Sequence, residues 1–206
     1  MICIDFFSKR FLIPIIVSAL LNGSSHAATK NIENVCQVFL DNPRWLWAAS
    51  EAQQRWQVPI SLMMAVIFQE SHFVKDAEPP RKKLFNLIPW VRPTTAEGYP
   101  QATDDTWHLY CKNRKRVSAS RNSFSDAVDF IGWYISYAHG KLRIAKTDAY
   151  AGYLAYHEGI QGYATKSFNH KFWLKHVARN VQQRAMRYHQ QLAQCQPRLP
   201  VRPWWY

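Results

Sequence analysis

The run Pro59-Ile60-Ser61-Leu62-Met63-Met64-Ala65-Val66-Ile67-Phe68 is the strongest constraint on what this chain can fold into. It is apolar enough to be an interior helix, and too short and too polar at its end to span a membrane. Pro59 suits the first turn of a helix, where its missing N–H costs nothing. Met63, Val66, Ile67 and Glu70 fall at i, i+3, i+4 and i+7, so they share one helix face. A carboxylate therefore closes a greasy stripe at the C-terminal end of the helix. The macrodipole adds negative potential there, and burial disfavours charge, so both raise the pKa of Glu70. A carboxylic acid kept protonated near neutral pH is what a general acid in glycoside cleavage requires. On this stretch alone, a helix-end Glu that tips into water fits at least as well.

With 206 residues, the chain is long enough for one domain with a substantial core. A hydrophobic content of 48%, aromatic content of 15% and only 7 glycines exclude a disordered chain. The formal charge of +12 favours a polyanionic partner: nucleic acid, a membrane or an anionic cell-wall polymer. The N-terminus chooses among these. Lys9-Arg10, the apolar stretch Phe11 to Leu21 and the small-x-small site Ser25-His26-Ala27 have the layout of a secretory signal peptide over residues 1–27. About eleven apolar residues interrupted by Pro14 are short for a stable membrane span. Export to the periplasm or the medium makes nucleic acid an unsuitable partner. It also permits disulfides, and Cys36, Cys111 and Cys195 remain after the leader. No cysteine or histidine spacing suggests zinc, and neither metal nor cofactor is expected.

Along the mature chain the periodicity predicts helices almost throughout. The first runs from Asn31 to Leu40. Asn42-Pro43 reads as an N-cap and N1 ahead of a helix burying Trp45, Ala48, Ala49, Ala52 and Trp56. From Asp76 to Gly98, Pro79, Pro80, Pro89, Pro93 and the basic Arg81-Lys82-Lys83 forbid a regular helix. That loop either lines a cleft beside Glu70 or is a packed connector, with Lys83 to Trp90 able to pair briefly as strands. Thr103 or Asp104 opens a helix with Trp107, Leu109 and Tyr110. Ser123 to Asp126 resembles a capping box ahead of Ala127, Ile131, Tyr134 and Ile135. Thr147-Asp148 opens a helix that Gly159 closes. A long last helix, Asn169 to Gln194, carries the stripe Trp173, Val177, Val181, Ala185, Tyr188 and Leu192. A tail over residues 196–206 is rich in Pro and Trp and ends Trp204-Trp205-Tyr206, with clamping onto the body, glycan contact and a membrane interface all open.

Three separated motifs carry a resemblance. Gln69-Glu70-Ser71 resembles the Glu-Ser motif of lytic transglycosylases, lysozyme-like enzymes that cut bacterial peptidoglycan. Gly98-Tyr99-Pro100-Gln101-Ala102 is similar to their Gly-Leu-Met-Gln segment, and Tyr153-Leu154-Ala155-Tyr156-His157-Glu158-Gly159 to their Ala-Tyr-Asn-x-Gly segment. Their order matches too, over roughly Cys36 to Cys195. The resemblance implies a mainly α, lysozyme-like domain of the goose-type or SLT kind over residues 28–195, acting on peptidoglycan strands and expected to be a monomer. Glu70 would be the single catalytic acid and base, giving 1,6-anhydro-muramic products. The alternatives are a muramidase of the same fold and a non-catalytic wall-binding protein.

The resemblance also suggests substrate contacts by Ser71, Tyr99, Gln101, Tyr156, His157 and Glu158. His157 stands where the family usually has Asn, and Pro100 is a second departure. Glu158 reads as structural, although a hydrolase would need such a group to activate water. Cys36 and Cys195 flank the recognisable domain and are expected to bridge the first and last helices. Cys111 is expected to remain a buried thiol.

Overall fold

The computed structural model describes residues 31–78, 82–84, 88–91 and 94–205, the two short central segments as backbone only. The predicted signal peptide lies outside these residues. In chain order the described elements are α1 (Val35–Asp41), α2 (Pro43–Trp56), α3 (Ile60–Ser71), β1 (Lys82–Leu84), β2 (Ile88–Val91), α4 (Asp104–Arg114), α5 (Phe124–Leu142), α6 (Ala149–Ala164) and α7 (Phe172–Cys195). The mainly α expectation holds, with a small antiparallel hairpin in which Leu84 faces Ile88.

Helix α3 is the axis of the domain. Every residue from Ser61 to Phe68 is buried, so the apolar surface is not a stripe but the whole circumference. A helix hydrophobic all round must be surrounded, and α2, α5 and α7 do this, with α7 packed along most of its length. Pro59 is the N-cap and not the first helical residue; its fixed φ of −59° aims the chain into the helix. The buried stripe of α7 is Leu174, Ala178, Val181, Ala185 and Tyr188, one position round from the predicted start. Trp173 is thereby left exposed at 57%.

Local signals fared unevenly where polar side chains had better partners. Asn34 caps α1 by accepting from the Cys36 and Gln37 amides. Asn42 does not cap α2 with its side chain, because its amide donates to the Val38 carbonyl at the end of α1. Ser123 makes no capping bond, and Asp126 accepts from the Ser120 amide and pairs with Arg116. Gly159 does not close α6. It breaks the helix with φ 75° and ψ 169°, after which helical turns continue to Ala164. Only glycine adopts that conformation at little cost.

The Cys36–Cys195 disulfide is formed, with Cα atoms 6.2 Å apart, and ties α1 to the end of α7. Cys111 is buried on α4 but is not the expected free thiol. It is disulfide-bonded.

Candidate active site

Glu70 sits in the last turn of α3, where two successive left-handed residues, His72 (φ 51°) and Phe73 (φ 62°), turn the chain sharply. Neither is glycine, so the turn is held by packing: Phe73 is buried and stacks on Trp45 with ring centroids 5.8 Å apart. The Glu70 carboxyl belongs to the lining of a cleft. Its Oε1 is buried with no hydrogen-bond partner. Burial pushes the pKa up to about 7, against a smaller opposing effect of a hydrogen bond from the Tyr153 hydroxyl.

The acid opens on a cleft of about 490 Å³, whose lining includes Thr94, Gln101, Phe130, Tyr134, Tyr156, His157 and Glu158. One wall is the 94–103 loop. Arg121, 1% exposed, holds that wall by donating to the Thr95 and Ala102 carbonyls at 3.0 and 2.7 Å and to Glu97 and Asp104 at 2.8 and 2.9 Å. Gly98 lies against the same residue: a Cβ there would meet the Arg121 carbonyl oxygen at 2.4 Å, and φ is +72°. Glycine is required on both counts.

The predicted contact residues divide into two groups. Gln101, Tyr156, His157 and Glu158 come together with Glu70 around the cleft. The Gln101 side-chain amide donates to the Ala77 and Gly98 carbonyls at 2.7 and 2.9 Å, so what it can offer a ligand is its carbonyl oxygen. Tyr156 donates to the Pro100 carbonyl at 2.6 Å and so ties α6 to the loop wall. Burial and then the Glu70 charge raise its pKa well above the ordinary value. For Glu158 burial acts upward, but bonds from Lys171, Ser167 and His157 outweigh it and hold the pKa down to about 2. Lys171 reaches both oxygens, at 2.8 and 3.0 Å. The helix break at Gly159 leaves Glu158 opposite the Ser167 to Lys171 segment.

Ser71 and Tyr99 are not brought to the cleft lining. Ser71 is buried and its hydroxyl donates back to the Ile67 carbonyl at 3.1 Å, one turn earlier. Tyr99 is buried in a cluster with Trp45 and Phe124. Tyr153 and Arg121, which sequence reasoning did not single out for the site, turn out to matter. Tyr153 was legible in principle, since it precedes Tyr156 by three residues and so shares its helix face. Arg121 had no local signal.

Among families of known domains, the chain matches the transglycosylase SLT domain over residues 12–195. It belongs to that family. Comparison with curated proteins and with solved structures gave no significant match. The SLT domain is a lysozyme-like helical fold whose members are generally lytic transglycosylases, and peptidoglycan is the substrate it implies. The match ends at Cys195, which the disulfide joins to Cys36. Among the described residues no helix is long and apolar enough to cross a membrane, and no cluster of His, Cys, Asp or Glu could hold a metal ion.

Proposed function

We propose that the protein is an exported peptidoglycan lytic transglycosylase that cleaves the β-1,4 bond between N-acetylmuramic acid and N-acetylglucosamine, with Glu70 as the sole acid and base. The observation that carries this reading is the buried, unpartnered Oε1 of Glu70 in a cleft whose other carboxylate, Glu158, is neutralised by Lys171. A group with pKa about 7 is substantially protonated at neutral pH, ready to donate.

In the reaction, Glu70 gives its proton to the bridging oxygen as the C1–O bond breaks, and the glucosamine leaves with a free 4-hydroxyl. The carbonyl oxygen of the muramic N-acetyl group supports the electron-poor C1. Glu70, now a carboxylate, takes the proton of the muramic 6-hydroxyl while O6 bonds to C1. The product is a 1,6-anhydro sugar, water is not consumed, and Glu70 ends protonated. The Gln101 carbonyl oxygen is placed to accept from an acetamido N–H, and the phenol of Tyr153 steadies the carboxylate between the two half-steps. Hydrolysis would need a second carboxylate to activate water. Glu158 is held by a lysine, a serine and a histidine, which supports the anhydro outcome over a muramidase.

Mass spectrometry of products from purified peptidoglycan tests this. Anhydro ends are expected; reducing ends would make the protein a muramidase, and no cleavage a binding protein. Glu70→Gln keeps the shape and removes the proton, so turnover should fall by about a thousandfold or more. Undiminished turnover would remove Glu70 from the mechanism.

A further inference from the structure

The C-terminal tail takes no part in the cleft. Residues 196–205 form one short helical turn (Gln196–Arg198) and an extended run laid across α2. Two contacts pin it: the Trp47 indole donates to the Pro200 carbonyl at 3.3 Å, and Arg202 pairs with Glu51. The tail helps line a groove with Pro59, Ile60 and Ser61, the start of α3, whereas Glu70 lies at the other end of that helix. Beyond the pinned section Pro203 leads to Trp204 and Trp205, which are 91% and 72% exposed, with Val201 at 87%. Large apolar side chains held out from a covalently and polarly anchored strand mark an interaction surface.

Charge says what kind of surface meets them. After Glu158 the chain contains no Asp or Glu, but it carries Lys166, Lys171, Lys175, Arg179, Arg184, Arg187, Arg198 and Arg202. Lys171, at the cleft end of α7, pairs with Glu158, Arg184 and Arg187 pair with Glu33, and Arg202 pairs with Glu51; the net positive charge is spread along α7 and reaches the tail through Arg198 and Arg202. The two indoles stand edge to face at 87°, a geometry that offers no shared flat platform for successive sugar rings. Adjacent tryptophans beside arginines, with no acid in the segment, are what a peripheral protein presents to a bilayer headgroup region. There the ring enters the interface, the indole N–H stays wet, and the cations meet anionic lipid.

We propose that Trp204 and Trp205 anchor the protein peripherally to an anionic phospholipid surface, with the catalytic cleft at the opposite end of α3 left free for glycan.

The test uses the exported chain, its N-terminus identified by mass spectrometry, and a Trp204→Ala/Trp205→Ala variant. Both are sedimented with phosphatidylcholine vesicles that contain or lack phosphatidylglycerol, with vesicles carrying brominated acyl chains, and with isolated peptidoglycan. The parental chain should partition onto phosphatidylglycerol vesicles, less so at high salt, and its tryptophan fluorescence should be quenched by the brominated chains. The variant should lose at least about tenfold in partitioning and most of the quenching, while glycan turnover in solution is unchanged. Equal partitioning and equal quenching of the two chains would overturn the proposal. So would loss of peptidoglycan binding alone, which would make the tail a glycan contact. Because soluble-glycan turnover is read separately, failure of the lipid result leaves the transglycosylase reading standing, and the reverse.

Discussion

Burial pushes the Glu70 carboxyl up to about 7, so a substantial share of it is protonated at neutral pH. Burial removes water from the carboxyl, the last turn of α3 adds the negative end of a dipole, and Oε1 has no donor to compensate. The opposing influence is the Tyr153 hydroxyl, which favours the charged form. The sign of the pH dependence follows: the acid must be protonated to act, so kcat/KM should fall as pH rises through about 7. Tyr153→Phe removes the one bond that lowers the pKa, so the alkaline limb should move to higher pH, by about half a unit to one unit. At the acid end of the profile the variant should turn over more slowly, because the carboxylate half of the cycle loses its donor. Initial rates of glycan cleavage between pH 5 and 9 check this, and a limb that moves down or stays would show that Tyr153 does not act on Glu70.

At the scale of elements, the loop between β2 and α4 is positioned by a charge that sequence reading passed over. Arg121 is fully buried and meets two carbonyls and two carboxylates from residues 95 to 104. Arg121→Met should cost about 3 kcal/mol in urea unfolding, because two carboxylates and two carbonyls lose their partner in a covered site. The residual folded enzyme should also turn over more slowly, since Thr94, Ala96 and Gln101 lose their backing. Arg121→Lys should recover only part of either loss, because an ammonium cannot reproduce the guanidinium fork. The contrast with α3 indicates what a sequence displays. Ten nearly unbroken apolar residues identify a core helix, and periodicity found the other helices, although Gly159, read as the end of α6, is an internal break with helical turns on to Ala164. The Glu-Ser, Gly-Tyr-Pro-Gln and Tyr-His-Glu-Gly segments likewise met around one cleft. What was hidden depends on partners distant in sequence: Asn42 turning back to Val38, Ser71 turning back to Ile67, and Tyr99 sinking between Trp45 and Phe124. A motif names a backbone position, but only packing decides whether its side chain faces ligand or core.

For the molecule as a whole, α3 separates the proposed acid, at its C-terminal end, from the proposed lipid-facing tail, at its N-terminal end. α7 runs past both, and α1 closes the assembly against α7 through Tyr188, whose hydroxyl donates to the Ile32 carbonyl at 2.6 Å, through the Arg184–Glu33 ion pair and through the disulfide. The bridge joins residues separated by 159 positions, so it removes much of the freedom of the unfolded chain. In the chain-entropy account this is worth roughly 4 to 5 kcal/mol. Ion pairs as exposed as Glu33 with Arg184 contribute far less. A Cys36→Ser/Cys195→Ser variant should therefore unfold at markedly lower urea concentration and temperature. Below its new melting transition the variant should cleave glycan at the parental rate, since neither cysteine touches the cleft and the α3–α7 packing that presents Glu70 is apolar and stays in place. A variant that melts unchanged would mean the unfolded chain is already confined by other means. One that melts lower and also cleaves slowly at low temperature would mean that closure at α1 is transmitted along α7 to the site.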